Sequence, residues 1–381
     1  MDISDKLVVS AGHVTEAYGP VQAAKNYLIK NAGEFISIEH PFSYSGIEGT
    51  VVEYYMGGRF VKKEKGHKRS SNSLIQWARD YFFNISFMKK IKKKADVFLA
   101  VDNLNAASGI KLKKKGLAGS LVYYIIDHMN RRFSNPVFNF LYEAADRAAC
   151  EKSDYIWSLS PRIAEAKEKR FKFDRAKNLT VPVGIELDKI ALFNKEEKFK
   201  NKEMVFMGVL DKTKGVQVMI EAMKDITEKV KQAKLIIIGT GPYEPELRKQ
   251  AEDMNLSENI EFMGAMDHDE IFKTIPRCRV GLAPYSDDPN NYTYYADPTK
   301  PKEYLGCGLP LVITNVPWIA EEAEKKPMGV VCGYNKEEIA KAAVKLLNDD
   351  AFYEKCLNNA LEFASGLSWD NIYKEAFGKM R

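Results

Sequence analysis

The chain has 381 residues, of which 45% are hydrophobic, 29% charged and 11% aromatic. That composition packs ordinary cores and excludes disorder, a fibre and a transmembrane bundle, because no apolar run reaches the roughly 18 residues that span a bilayer. The net charge of +5 conceals an asymmetry, +10 over residues 1–190 against −5 over residues 191–381, and the length points to two domains or three. The opening MDISDKLVVSAGH carries acids where a secretory leader carries positive charge, so a cytoplasmic protein is expected. Five scattered cysteines, Cys150, Cys278, Cys307, Cys332 and Cys356, show no CxxC or Cys/His spacing and read as reduced, buried thiols.

Short apolar runs alternate with longer amphipathic stretches, the pattern of strand–helix units stacked on parallel sheets. The first strand, KLVVSAG (6–12), leads into SAGHVTEAYGP, where Gly12 and Gly19 bracket a loop before a helix. Gly12 and His13 are the candidates of that loop for contact with a ligand, since open α/β sheets bind ligands at the carboxyl ends of their strands. EFISIEH (34–40) is the next strand. Residues 71–98 place Leu74, Trp77, Tyr81, Ile85 and Met88 at helical spacing, with Phe82, Phe83 and Phe87 widening the apolar face, and then run into Lys89, Lys90, Lys92, Lys93 and Lys94. Aromatic rings joined to a lysine cluster suit an interfacial contact with an anionic membrane surface, for which Trp77, Tyr81 and these lysines are the candidates. Lys111, Lys113, Lys114 and Lys115 add a second cluster. No nucleic-acid recognition motif accompanies either cluster, so no nucleic-acid partner is expected.

After ADVFLAVD (95–102), the strand LVYYIID (121–127) ends in Asp127 and His128, followed by Arg131 and Arg132. Asp127, with His128 second, is the candidate base for an acceptor hydroxyl, and the two guanidinium groups suit a phosphate or carboxylate. YIWSLS (155–160) closes the first set of strands. In residues 179–203, Pro182 and Gly184 break structure and a charged stretch follows, which marks the hinge.

The second set comprises EMVFMG (203–208), KLIIIG (234–239), IEFMG (260–264), RVGLAPY (279–285) and LPLVITN (309–315). Three of them stop in MGVLDKTKG (207–215), IGTGPYEPEL (238–247) and APYSDD (283–288), and open α/β sheets bind ligands at such carboxyl ends. Helix amino termini there offer N–H groups to phosphate. The dehydrogenase fingerprint GxGxxG fails at Glu244. Asp267-His268-Asp269 reads as a helix cap rather than a metal motif, and no metal is expected. Sequons at Asn84, Asn178 and Asn291 have no meaning in a cytoplasmic chain.

The stretch ADPTKPKEYLGCGLPLVITN (296–315) resembles the donor-binding element of GT-B glycosyltransferases of the glycogen-synthase-like group (family 4, group 1), matching at Pro298, Lys300, Glu303, Tyr304, Gly308 and Pro310. MGVLDKTKGVQVMIEAM (207–223) is similar to the family's diphosphate element at Lys214 and Gly215, although Val209 stands where an Arg is usual. IGTGP (238–242), VPVGIE (181–186) and LSWDNIYKEAF (367–377) resemble its glycine loop, its crossover and its closing helix. The resemblance implies an α/β protein of two Rossmann-like domains facing a cleft, the GT-B fold. Residues 1–183 would bind the acceptor, residues 184–363 the nucleotide sugar, and residues 364–381 would form a helix crossing back toward the first domain. Glu303 would accept from ribose hydroxyls, with Gly208, Lys214, Gly239, Gly241, Tyr285, Asp297 and Lys300 completing the donor site. Retaining members carry a further Glu where this chain has Tyr295. Either Asp297 substitutes for it or the donor pocket differs, as in inverting enzymes.

The implied activity is transfer of a hexosyl-type sugar from a UDP- or GDP-linked donor to a glycan or lipid-linked acceptor. It would take place on the inner face of the plasma membrane, to which the protein is peripheral, with no metal and no other cofactor. A nonhydrolysing sugar-nucleotide epimerase and an inactive sugar-nucleotide-binding subunit are the alternatives.

Overall fold

The computed structural model describes residues 1–16, 18–191, 194–288 and 292–380; Leu192 and Phe193 of the hinge stretch and the sequon asparagine Asn291 lie outside them. The chain divides into two compact units, Met1–Val183 together with Trp369–Arg381, and Gly184–Ser368.

The first unit is built on eight strands: β1 (Leu7–Val14), β2 (Glu34–Pro41), β3 (Gly49–Met56), β4 (Arg59–Lys68), β5 (Ala95–Val101), β6 (Ala118–Ile125), β7 (Tyr155–Ser158) and β8 (Asn178–Thr180). Their order is β4-β3-β2-β1-β5-β6-β7-β8. All pairs from β2 to β8 through β1 are parallel, while β3 and β4 form an antiparallel hairpin at one edge. Strand β1 is buried along its whole length, which is why it reads as an apolar run rather than an alternation. The hairpin was not expected. Its turn is Gly57-Gly58, both at positive φ (52° and 78°), as a two-residue hairpin turn matching strand twist requires. Lysines along the edge strand β4 guard it against further pairing and mask its strand character.

The second unit carries β9 (Glu203–Met207), β10 (Lys234–Ile238), β11 (Ile260–Gly264), β12 (Val280–Ala283), β13 (Leu311–Thr314) and β14 (Gly329–Cys332). They are parallel, in the order β11-β10-β9-β12-β13-β14. Successive residues of β10 alternate between two cores, Leu235 and Ile237 facing one layer of helices and Ile236 and Ile238 the other. In both sheets strand order reverses around one central strand, β1 in the first and β9 in the second, and ligands bind at the carboxyl ends beside such a switch point.

The last helix, Trp369–Gly378, belongs to the first unit. Tyr373 Oη donates to the Pro20 carbonyl at 2.9 Å, Phe377 stacks on Tyr27, and Trp157 meets Phe377 edge-on. The return starts at Trp369 rather than at residue 364, because the helix Asp350–Ser365 remains in the second unit. All five cysteines are buried free thiols, and among the described residues no helix is long and apolar enough to cross a membrane.

Candidate functional site

At the carboxyl edge of the second sheet, glycine lets two strand-end loops pack backbone against backbone. Gly208 N–H donates to the Ile238 carbonyl (2.9 Å) and Leu210 N–H to the Thr240 carbonyl (3.0 Å). A Cβ on Gly239 would stand 1.9 Å from the Gly208 carbonyl oxygen, and one on Gly241 would stand 2.2 Å from that of Leu210. Only glycine fits at either position. The next turn brings Lys214 to Tyr292, with Nζ 2.8 Å from the hydroxyl and 4.8 Å from the ring centroid, and within 5.9 Å of the Tyr285 ring. Burial pushes the Tyr285 hydroxyl up, and nearby Tyr292, Glu303 and Asp297 add to it. Four helices of this unit, Val216–Lys229, Glu244–Asp253, Thr299–Gly306 and Ile319–Lys325, begin without a side-chain cap. Side chains cap Lys336–Asn348 and Asp350–Ser365 elsewhere in it. The uncapped termini keep first-turn N–H groups available to an anion.

Glu303 stands on the third of these helices, Thr299–Gly306, and is 5% exposed. Its Oε1 lies 3.2 Å from His268 Nε2, and His268 Nδ1 lies 3.3 Å from Glu186 Oε2. The hydrogen bond to Glu303 is the main reason that the His268 pKa is raised. Asp267 does cap its helix, accepting from Glu270 N–H at 2.8 Å. His268, passed over as part of that cap, instead turns onto Glu303; nothing in the spacing of the sequence signals the pair. Lys300 is exposed on the first turn of the same helix as Glu303.

Asp297 corrects an expectation. It is 4% exposed, its Oδ2 accepts from Lys302 Nζ at 2.5 Å, and its Oδ1 accepts from Trp318 Nε1 at 2.8 Å. Lys302 is itself fully buried. A carboxylate with both oxygens held this way serves the core and does not substitute for a sugar-facing Glu.

In the first unit the switch point is marked by His13, near the end of β1, and Asp102, just past β5. Asp102 sits at φ +79° and uses one oxygen to cap the helix Asn103–Lys114, accepting from Leu104 and Asn105 N–H at 2.9 Å each. Its other oxygen is 2.5 Å from His13 Nδ1, while His13 Nε2 is 3.0 Å from Asp80 Oδ2. Burial lowers the His13 pKa, but Asp102 and then Asp80 outweigh it and hold the imidazole at about 10.

Beside this pair is a pocket of about 230 Å³ with His13, Asp102, Asp127 and Arg132 in its wall. Leu74 and Trp77 line it from the helix Ser73–Ile91, and Phe138, Leu141 and Tyr142 from the helix Pro136–Lys152. Arg132 Nη1 lies 2.6 Å from Asp127 Oδ2, with its guanidinium over the Tyr142 ring. The structure thus gathers Asp127, Arg132 and His13. It does not bring His128 to the lining: that ring is buried, and burial followed by Lys167 pushes its pKa down to about 4, so it is neutral. Arg131 braces its own loop through the Phe133 and Ser134 carbonyls. Gly12 lies inside β1 rather than in a loop, paired with Glu39, where a Cβ would crowd Val21 and Val101 at 3.1 and 3.2 Å.

The helix Ser73–Ile91 differs from its expected face. It buries a polar stripe, Gln76, Asp80 and Asn84, together with Ile85, Phe87 and Met88. Leu74, Ile75 and Phe82 are exposed. Trp77 packs edge-on against Phe133 and Tyr81 against Phe82. Lys89, Lys90, Lys92, Lys93 and Lys94 are all exposed, but Lys90 pairs with Glu64 and Lys93 with Glu34.

Residues 188–363 match the family described as glycosyl transferases group 1. An uncharacterized glycosyltransferase of Methanocaldococcus jannaschii is 28% identical over 46% of this chain and 43% of its own. The alpha-monoglucosyldiacylglycerol synthase of Streptococcus pneumoniae is 22% identical over 44% of this chain and 39% of its own. The chain thus spans less than half the length of these two curated relatives. Anabaena HepE, solved in complex with UDP and glucose, shares the fold across 98% of both chains, with a TM-score of 0.66 at 14% identity. The fold is GT-B, as the sequence resemblance implies.

Proposed function

We propose that this chain is a glycosyltransferase that moves a hexosyl-type sugar from a UDP- or GDP-linked donor to a glycan or lipid-linked acceptor at a membrane surface. The observation that carries the reading is the set of groups at the carboxyl edge of the second sheet. The buried Glu303 stands on a helix with an uncapped amino terminus, in a unit that also sets Lys214 beside Tyr285. A carboxylate accepts from two neighbouring ribose hydroxyls, and His268 holds Glu303 oriented for them. Lys214, Lys300 and uncapped first-turn N–H groups of the helices Val216–Lys229, Glu244–Asp253 and Thr299–Gly306 stabilise the departing diphosphate without a metal ion at that position.

Asp127 is the base in this reading. Its partner Arg132 exchanges the carboxylate for a phosphate or carboxylate of the acceptor and leaves Asp127 free to take the hydroxyl proton. The pocket beside them is walled mostly by apolar and aromatic side chains, which suits an acceptor with a hydrocarbon portion. That the streptococcal relative is named for diacylglycerol glucosylation, and that Leu74, Ile75 and Phe82 are exposed next to a lysine cluster, supports a lipid-linked acceptor at an anionic surface.

Thermal shift against UDP-, GDP-, ADP- and CMP-sugars tests this reading. A true donor at about 100 times its dissociation constant stabilises by about 2.7 kcal/mol. Glu303→Ala, which removes charged hydrogen bonds of about 1.5–3 kcal/mol, weakens that donor at least about tenfold and leaves the unliganded melting temperature nearly unchanged. Absence of any shift with every nucleotide sugar overturns the proposal.

A further inference from the structure

Three of the chain's five histidines converge on one buried carboxylate. Asp80 Oδ2 faces His13 Nε2 at 3.0 Å, while Asp80 Oδ1 lies 3.1 Å from His40 Nδ1 and 3.0 Å from His67 Nε2. His40 comes from β2, His67 from β4 and Asp80 from the helix Ser73–Ile91. Sugar transfer as proposed above makes no use of His40 or His67.

The outer nitrogens of the two rings fix what the inner ones present. His40 Nε2 is 3.0 Å from Asn84 Oδ1, and the Asn84 amide nitrogen is committed as donor to Asn105 Oδ1 (2.8 Å) and Ser108 Oγ (3.1 Å). His40 Nε2 therefore carries a proton and donates it to the amide oxygen. His67 Nδ1 is 3.2 Å from the Lys68 carbonyl, which only accepts, so it carries a proton too. In the neutral rings His40 Nδ1 and His67 Nε2 then turn lone pairs toward Asp80 Oδ1, an oxygen already accepting from Gln76 Nε2 at 2.8 Å. Lone pairs facing a carboxylate oxygen at 3 Å repel unless a cation stands among them or each ring takes a second proton.

The geometry suits a cation. The three ligand atoms lie within 4.8 Å of one another, and the two measured nitrogen–oxygen spacings are 3.0 and 3.1 Å. Ligands held at about 2.0–2.1 Å around a tetrahedral zinc ion are separated by about 3.3 Å. Thr50 Oγ1, 2.9 Å from His40 Nδ1 and 3.2 Å from His67 Nε2, stands beside a fourth position. Imidazole ligands whose other N–H groups donate to an amide or backbone oxygen are the usual support of a metal site. The His67 side chain is 19% exposed and opens on a surface hollow with Arg79 and Phe83, which gives an entry path.

We propose that His40 Nδ1, His67 Nε2 and Asp80 Oδ1 bind one divalent transition-metal ion, zinc by the nature of the donors, in the first unit. The ion ties β2, β4 and the helix Ser73–Ile91 together, and it steadies Asp80 against His13 at the rim of the pocket. This departs from the expectation of a metal-free chain, and the ligands are too far apart in sequence to show a spacing motif.

The test uses the full-length protein freed of any affinity tag. After chelator dialysis, titration with zinc against a competing chelator is expected to show one equivalent per chain, and cobalt is expected to give the visible bands of a tetrahedral site. His67→Ala and Asp80→Asn bring the stoichiometry close to zero. Asn84→Ala, which removes only the support of His40, weakens zinc about tenfold. Zinc-edge X-ray absorption of the wild type needs no variant, so a folding failure in any variant leaves the test intact. Two imidazole rings in its scattering support the site. No retained equivalent, an equivalent that survives in His67→Ala, or scattering without imidazole overturns it in favour of a purely protonic cluster.

Discussion

Asp297 and Glu303 are both almost fully buried on adjoining segments, yet their partners give them different tasks. Asp297 spends both oxygens on Lys302 and Trp318, and Lys302 has no exposure at all. Asp297→Ala takes the carboxylate away from a buried ammonium, so the variant is expected to lose about 3–5 kcal/mol of stability, seen in chemical denaturation. Asp297→Leu combined with Lys302→Met is expected to recover most of that loss, because exchanging a whole buried pair for apolar side chains is close to neutral. If Asp297→Ala instead melted like the wild type while losing donor, the sugar-facing role would return to it. Glu303 was legible because it sits in a motif of contiguous residues. His268, Lys302 and Trp318 were not, since each acquires its meaning from a partner that only folding brings near.

Among the elements, the helix Ser73–Ile91 carries the most information. Its apolar periodicity and basic end were plain, but Gln76, Asp80 and Asn84 take the buried stripe because His13 and His67 satisfy Asp80, His40 satisfies Asn84, and Gln76 donates to Asp80 and accepts from the Ser70 N–H. Leu74, Ile75 and Phe82 are displaced to the surface as a result. The parallel strands were legible for the opposite reason: buried on both faces, they need no pattern beyond apolar continuity. If the exposed face meets a membrane, transferring a side chain such as Phe82 out of water gains about 2 kcal/mol. Ile75→Ser with Phe82→Ser should then lower binding to anionic vesicles more than about tenfold while transfer to a soluble acceptor persists. The lysines are not equivalent. Lys90 and Lys93 are partly neutralised by Glu64 and Glu34, whereas Lys89, Lys92 and Lys94 are free to contribute about 1 kcal/mol each. Changing those three to Gln is expected to reduce flotation with anionic vesicles at low salt more than changing Lys90 and Lys93 does. Equal binding to neutral and anionic vesicles would count against the contact.

For the whole molecule, the division of charge has the same boundary as the division of structure only in part, because the chain ends in the unit where it began. The second unit folds around two cores of its own, one on each face of its sheet. The last helix packs into the first unit's core, with Tyr373 and Phe377 buried against Tyr27 and Trp157. Two aromatic side chains of that size bury about 150–250 Å² each, and at about 25 cal/mol per Å² their loss removes much of the 5–15 kcal/mol that keeps a domain folded. A fragment of residues 1–183 is therefore expected to melt without cooperativity and to bind a hydrophobic dye, and restoring residues 369–381 through a short linker should bring back a sharp transition. The fragment 184–368 should melt cooperatively alone and keep the nucleotide-sugar affinity of the full chain. A sharp transition in 1–183 by itself would show that the returning helix covers the first unit without completing it.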